Sequence, residues 1–286
     1  MTRSEFMQAV RSSILSKYED QLSALCRNAI CIEYDFSGDE PEVGRSRIGG
    51  LPDLPIDVKW PEWQNVPLAF IAQFRMSDLT EDDTDNMLPS KGMLYFFYDV
   101  EQPWGYNPDD FGRWRVIYYE DDSLTLNRTQ APNGLPEAGI YQPHSLKFSH
   151  ADSFPDWMTF DIENLDMDKE EMSIYQDLMY EIVNSTTLDY SSERLLGHPD
   201  VIQNDMQWEC QMVSNGIYCG DGSYDTDPRY AELVPGSSEW QLLLQLSSSG
   251  DEDMMWGDEG KLYFWIKKDD LKSLDFEKVW VILQCT

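Results

Sequence analysis

Two glutamines stand inside apolar runs where an amide is out of place: Gln73 in Leu68-Ala69-Phe70-Ile71-Ala72-Gln73-Phe74, and Gln245 in Leu242-Leu243-Leu244-Gln245-Leu246. A buried carboxamide donates and accepts hydrogen bonds, and leaving it unpaired costs a few kcal/mol, so each must hold something. Two arrangements satisfy them. Each can bind the Gly-Pro loop backbone of its own half of the chain, or both can line one cleft where two halves face each other. A second candidate is Trp256-Gly257-Asp258. An indole beside a tight turn and a carboxylate could grip a ligand by stacking and charge, or simply close a packed hairpin. Asp251 and Asp253, just upstream, extend that acidic character.

Hard oxygen donors are abundant, at Glu81-Asp82-Asp83-Thr84-Asp85, Asp221 to Asp227 and Asp251-Glu252-Asp253. None follows the twelve-residue calcium-loop pattern, so solvated acidic loops are expected and no metal site is assigned. Nucleophilic chemistry finds little support. There is no Gly-x-Ser-x-Gly elbow, and the three histidines, His144, His150 and His198, carry no local thiol-enzyme signature with Cys26 or Cys31. Gly49-Gly50-Leu51-Pro52 lacks the lysine and helix start of a phosphate loop. No cofactor is expected, and no catalytic residue can be named.

The elements that must position these residues carry a repeated phrase. Gly92-Met93-Leu94-Tyr95-Phe96-Phe97 returns as Gly260-Lys261-Leu262-Tyr263-Phe264-Trp265. The glutamine runs precede each phrase, and Gly49-Gly50-Leu51-Pro52-Asp53 and Gly197-His198-Pro199-Asp200 precede those. Three landmarks in one order argue for an internal duplication. Their spacings, taken from Gly49 to Gly197 and from Gln73 to Gln245, imply an insertion in the second half, placed in the loop-rich stretch from Cys210 to Tyr230.

Thr2-x-x-Glu5 has capping-box spacing, and Phe6, Val10, Ile14, Tyr18, Leu22 and Leu25 keep a helical period, which predicts one amphipathic helix over about 1–30. Strands are expected at about 68–74, 93–98, 113–119, 241–246, 261–266 and 278–284, with a helix at about 168–184 and a short one from Asp269 or Asp270. The expected fold is α+β: two fused related halves with mainly antiparallel sheet and an N-terminal amphipathic helix. It is read as one domain, with a first repeat over about 45–120, a helical connection over about 150–190 and a second repeat over about 193–286.

The 286 residues carry 53 Asp and Glu against 21 Lys and Arg, a formal charge of −32, with 41% apolar residues. That is acidic yet rich enough in apolar residues to fold. Direct nucleic-acid binding is disfavoured, because few dispersed cations are present to replace phosphate counterions. The same field would attract a basic protein or a divalent cation. Five cysteines without Cys-x-x-Cys spacing suggest neither zinc nor a disulfide framework. With no secretory leader pattern and no apolar run of membrane-spanning length, a cytoplasmic location without membrane association is expected.

Ile48-Gly49-Gly50-Leu51-Pro52-Asp53-Leu54-Pro55, Trp60-Pro61 and Pro67-Leu68-x-Phe70-Ile71-Ala72-Gln73 resemble the signature of the YwqG-like proteins. The likeness continues through Leu196-Gly197-His198-Pro199-Asp200 and Met255-Trp256-Gly257-Asp258-Glu259-Gly260 to the second phrase. It implies a bacterial domain of unknown function with no established reaction. Some relatives lie near toxin and immunity genes, which brings a binding role into view. The reading is an acidic binding protein engaging a basic partner, immunity-like, with Gln73, Gln245, Trp256, Asp258, Asp251 and Asp253 as candidate binding residues. The alternative is a small-ligand or divalent-cation binder, or a hydrolase, using a cleft between the halves.

Overall fold

The computed structural model describes residues 2–35, 40–120, 125–184, 192–248 and 254–286. Helix α1 (Arg3–Arg11) opens with the capping box: the Thr2 hydroxyl accepts from Glu5 N at 3.3 Å, while Glu5 accepts from Thr2 N at 2.8 Å. It does not run to residue 30. Ser12 and Ser13 donate their hydroxyls to the carbonyls of Gln8 and Val10, and Ser13 then caps a 3-10 turn over Ile14–Tyr18 before α2 (Glu19–Leu25). Such side-chain bonds offer the backbone an alternative to a continuing helix. From Arg27 the chain is strand, with Ala29, Ile30, Cys31 and Ile32 all buried, as a strand covered on both faces requires. Phe6, Val10 and Leu22 are buried as the helical period predicts, but Ile14 is 45% exposed.

Among the described residues ten strands form one sheet: β1 (Arg27–Asp35), β2 (Arg47–Ile48), β3 (Ala69–Arg75), β4 (Met93–Tyr98), β5 (Trp114–Tyr119), β6 (His144–Ser153), β7 (Arg194–Leu196), β8 (Trp240–Ser247), β9 (Lys261–Lys267) and β10 (Trp280–Gln284). Their order is β10-β9-β8-β7-β1-β6-β2-β3-β4-β5, and every pairing is antiparallel. Exchanging the first five strands for the last five leaves this order unchanged when it is read from the other edge. At the centre β1 pairs with β6, from Arg27↔Ser153 to Asp35↔Ser145. Each of these two strands also pairs into the other half, β1 with β7 and β6 with β2.

The correspondence extends to irregularities. The pairing of β3 with β4 slips between Phe70 and Ala72, and that of β8 with β9 between Leu242 and Leu244, just before the two glutamines. A bulge bends and twists a strand. The sheet is nearly closed: at its outer edges the Trp114 indole donates to Val279 O at 2.8 Å and stands edge-on to Trp280. Inside lies one apolar core drawn from both halves. Phe96 and Phe264, at matching positions of the repeated phrase, meet there edge to face at 5.0 Å.

The other α-helices among the described residues are α3 (Phe160–Glu163), α4 (Lys169–Asn184), α5 (Met206–Ser214), α6 (Tyr230–Leu233) and α7 (Lys268–Lys272). α1, α2 and α4 share a second core around Phe6, Leu22, Phe154 and Tyr175. The expected helical connection therefore starts later than about 150, because His144–Ser153 is β6, a strand with too few apolar residues to announce itself. The stretch read as loop from Cys210 also begins inside α5, whose N-cap, Asp205, accepts from Trp208 N at 2.7 Å.

Candidate functional site

The two glutamines sit in matching polar nodes. Gln73 accepts from Asp53 N at 2.8 Å and donates to Arg45 O and to Asp53 Oδ2, each at 2.8 Å. Gln245 accepts from Asp200 N at 2.9 Å and donates to Ser192 O and to Asp200 Oδ2. Each carboxylate also takes an arginine from the neighbouring short strand, Arg47 at 3.0 Å on Asp53 and Arg194 at 2.8 Å on Asp200. A tyrosine from the repeated phrase closes each node, Tyr95 donating to Asp53 O at 2.7 Å and Tyr263 to Asp200 O at 2.6 Å.

The arginines and tyrosines were not among the candidates from sequence, although a signal for them exists. Arg47-Ile48-Gly49-Gly50-Leu51-Pro52-Asp53 matches Arg194-Leu195-Leu196-Gly197-His198-Pro199-Asp200 position by position. The partner of Gly197 is therefore Gly50, not Gly49. Both second positions of the turn have positive φ, 70° at Gly50 and 72° at Gly197, and a Cβ on Gly197 would lie 2.6 Å from that of Ala29. Glycine is what such a conformation and such an approach demand.

The nodes differ in exposure. Arg47 and Asp53 are fully buried; Asp53 also accepts from Gly44 N at 2.8 Å and from Arg128 at 2.6 Å. Burial pulls the Arg47 guanidinium down to about 10 against the opposing attraction of Asp53. The Asp200 side chain is 30% exposed and has Lys261 at 3.1 Å as its second cation. Burial acts to raise its carboxyl, but Arg194 and Lys261 together hold it below the usual carboxylate range.

Gln73 and Gln245 thus lie in separate nodes, bound to the loops of their own halves, and the fold does not bring them to one cleft. Trp256 is fully buried in the sheet core, edge to face with Tyr98 at 6.1 Å and Tyr141 at 5.9 Å. Its indole is out of reach of a partner in solution. Asp258 is exposed on the adjoining turn. Asp251 and Asp253 lie outside the described residues.

The nucleophile and metal alternatives can be placed too. His198 is buried with Nε2 2.7 Å from Leu25 O, and burial holds it well below its ordinary range, so it is a neutral donor to that carbonyl. Burial pushes the Cys26 thiol up to about 11, and its sulfur donates to Leu22 O. A thiol so raised is not a thiolate at neutral pH. Among the described residues no three His, Cys, Asp or Glu side chains group as a metal site. Within the 81–85 cluster, Asp83 accepts from Met87 N and Leu88 N, and Asp85 accepts from Asn28 N.

A cavity of about 820 Å³ does lie between the halves. Asp85 and Leu88 line it from the segment before β4, and Leu196, Gly197, Gln241 and Lys268 from the second half. Gln241 is 6% exposed, and its Nε2 has no hydrogen-bond partner among the described residues. Leu196, beside it, has φ of 60°. That left-handed conformation costs a side-chain-bearing residue roughly 1–2 kcal/mol, and such strain gathers at functional sites.

Compared with known proteins, residues 46–285 match the domain of unknown function DUF1963, and the chain belongs to that family. No curated protein matches it. No described helix is long and apolar enough to cross a membrane.

Proposed function

We propose that this DUF1963 member is a non-catalytic binding protein that holds a small polar ligand in the cavity between its two halves. The observation that carries this reading is the Gln241 amide, buried in the cavity wall with a donor left unused. An unsatisfied buried donor costs about 1–3 kcal/mol, and a ligand acceptor would recover that cost. The volume falls within the several hundred Å³ usual for small-molecule sites. Arg27, Lys268 and Lys272 share the lining with Asp85, Asp161 and Asp269, so a ligand carrying both a hydrogen-bond acceptor and charge fits it best.

Native mass spectrometry of protein purified from its source cells, wild type beside Gln241→Leu, tests this. The expected result is a bound small-molecule mass on the wild type that is lost from a variant whose stability is unchanged or up to about 1 kcal/mol higher. Wild type without a ligand, together with a destabilised variant, would assign Gln241 to packing and overturn the reading.

A second reading keeps the acidic surface as a site for a basic protein. It is favoured by the charge of −32 and by an outer groove in which Glu40, Glu42, Asp78 and Asp82 outnumber Arg45 and Lys147. Charge complementarity there would speed association more than it would tighten it. A YwqG-like, bacterial, cytoplasmic identity belongs to this proposal. So does descent of the two halves from one duplicated unit, which the shared nodes and bulges support.

A further inference from the structure

A different pocket lies away from the cavity between the halves. It has a volume of about 560 Å³, between the α3 and α4 region on one side and α5 and α6 on the other. Trp157, Trp208, Tyr224 and Tyr230 supply four aromatic rings, and Met158 and Met172 supply polarisable thioethers. Tyr224 stands edge to face with Trp208 at 4.3 Å and 69°, and Tyr230 with Trp208 at 6.1 Å and 62°. The Trp208 face therefore lies across those of the two tyrosines, whose planes are 31° from each other. Trp157 is 40% exposed, which leaves much of it open to a ligand.

The charges of this pocket all have one sign. Glu163 and Asp205 line it, with no Lys, Arg or His among the described lining residues. Asp205 is held by amides, accepting from Trp208 N at 2.7 Å and from Phe160 N, and no described cation pairs with it. Burial raises its carboxyl to about 6. A cation entering here would supply the missing countercharge. An aromatic wall selects which cation: ring faces attract positive charge, and apolar surroundings favour an alkylated ammonium over a strongly hydrated metal ion.

We infer that the pocket formed by Trp157, Trp208, Tyr230, Glu163 and Asp205 binds a small alkylated ammonium ion, with the rings against its methyl groups and the carboxylates opposite its charge. This site is independent of the cavity proposed above, since the two linings have no residue in common.

The test is titration of the full chain with choline, followed by calorimetry and by the ligand's methyl resonance. The comparison ligand is 3,3-dimethylbutan-1-ol, which has the same shape without the charge. Saturable choline binding is expected, at least about tenfold tighter than the neutral analogue. Trp157→Ala should weaken it about two- to thirty-fold, the range that one ring face contributes. Glu163→Gln, at an exposed position that leaves the packing alone, should weaken it up to about fivefold. Equal binding of choline and the neutral analogue, or choline affinity unchanged in both variants, would overturn the proposal. So would a trimethyl-lysine peptide binding more than about tenfold tighter than choline, since the natural ligand would then be a side chain rather than a small ion. If Trp157→Ala fails to fold, the analogue comparison and Glu163→Gln still decide.

Discussion

The two polar nodes use the same four residue types in the same bonds, yet one is sealed and the other open. Around Asp53 the carboxylate, Arg47, Gln73 and Tyr95 are all buried, and the segments bearing Gly44 and the partly exposed Arg128 close over it. Around Asp200 a third of the carboxylate and a fifth of Lys261 reach solvent. The second half also carries Leu196 in its left-handed conformation and the unpartnered Gln241 amide at the cavity wall. One copy of the motif thus ties its loop to the sheet, while the other ties its loop beside a cavity. The same chemistry serves as structure in the first half and frames a site in the second.

Breaking the two carboxylates in turn should expose that difference most strongly. Asp53→Asn leaves Arg47 as a buried charge without its counterion, and urea denaturation should register a loss of about 3–5 kcal/mol. Asp200→Asn also strands a buried arginine, since Arg194 is only 1% exposed, but the Asp200 side chain is itself 30% exposed, so the loss should be smaller, about 2–3 kcal/mol. Equal losses would mean that exposure does not distinguish the nodes.

The halves should next differ in their response to pH. Glu209, on α5 in the second half, is buried with Oε2 unpaired, and burial raises its carboxyl to about 8. Its folded value lies above its unfolded one, so the native state binds the extra proton. Stability should therefore fall as pH rises from about 4.5 to about 8, by an amount on the order of a few kcal/mol. Glu209→Gln should flatten that slope, as measured by denaturation at pH 5 and pH 8. A slope unchanged in the variant would place its origin elsewhere.

The smallest effects concern the glutamines. Gln73→Leu and Gln245→Leu each leave a loop amide without its acceptor, at about 1–3 kcal/mol apiece. Because the nodes have no partner in common, the double variant should sum the single losses to within about 0.5 kcal/mol. A larger departure would reveal coupling between the halves that the separate nodes do not provide.

Much of the framework was legible from local pattern. Strands at 93–98 and 261–266 announced themselves through the repeated aromatic phrase, and α4 through its helical period. The glutamines stood out because an amide in an apolar run must find partners. The helix expected over 1–30 failed at Ser12 and Ser13, where hydroxyls draw the backbone out of the helix, and at Arg27, where a strand begins that only distant pairing stabilises. Trp256 looked like a contact residue because it adjoins Gly257 and Asp258. Its burial depends on Tyr98 and Tyr141, more than a hundred residues away in sequence.

The sequence by itself determined that this chain is acidic yet able to fold, that it carries one pattern twice, and that two buried amides need partners. These follow from composition and short-range periodicity, which act on neighbouring residues. Tertiary structure alone decided that β1 and β6 pair across the centre into opposite halves, that one node is sealed and the other open, and that four aromatic rings and two carboxylates gather around one pocket. Those outcomes depend on which distant surfaces exclude water from each other. Exclusion of that kind is a property of the nearly closed sheet and its covering helices, and no short stretch of residues encodes it.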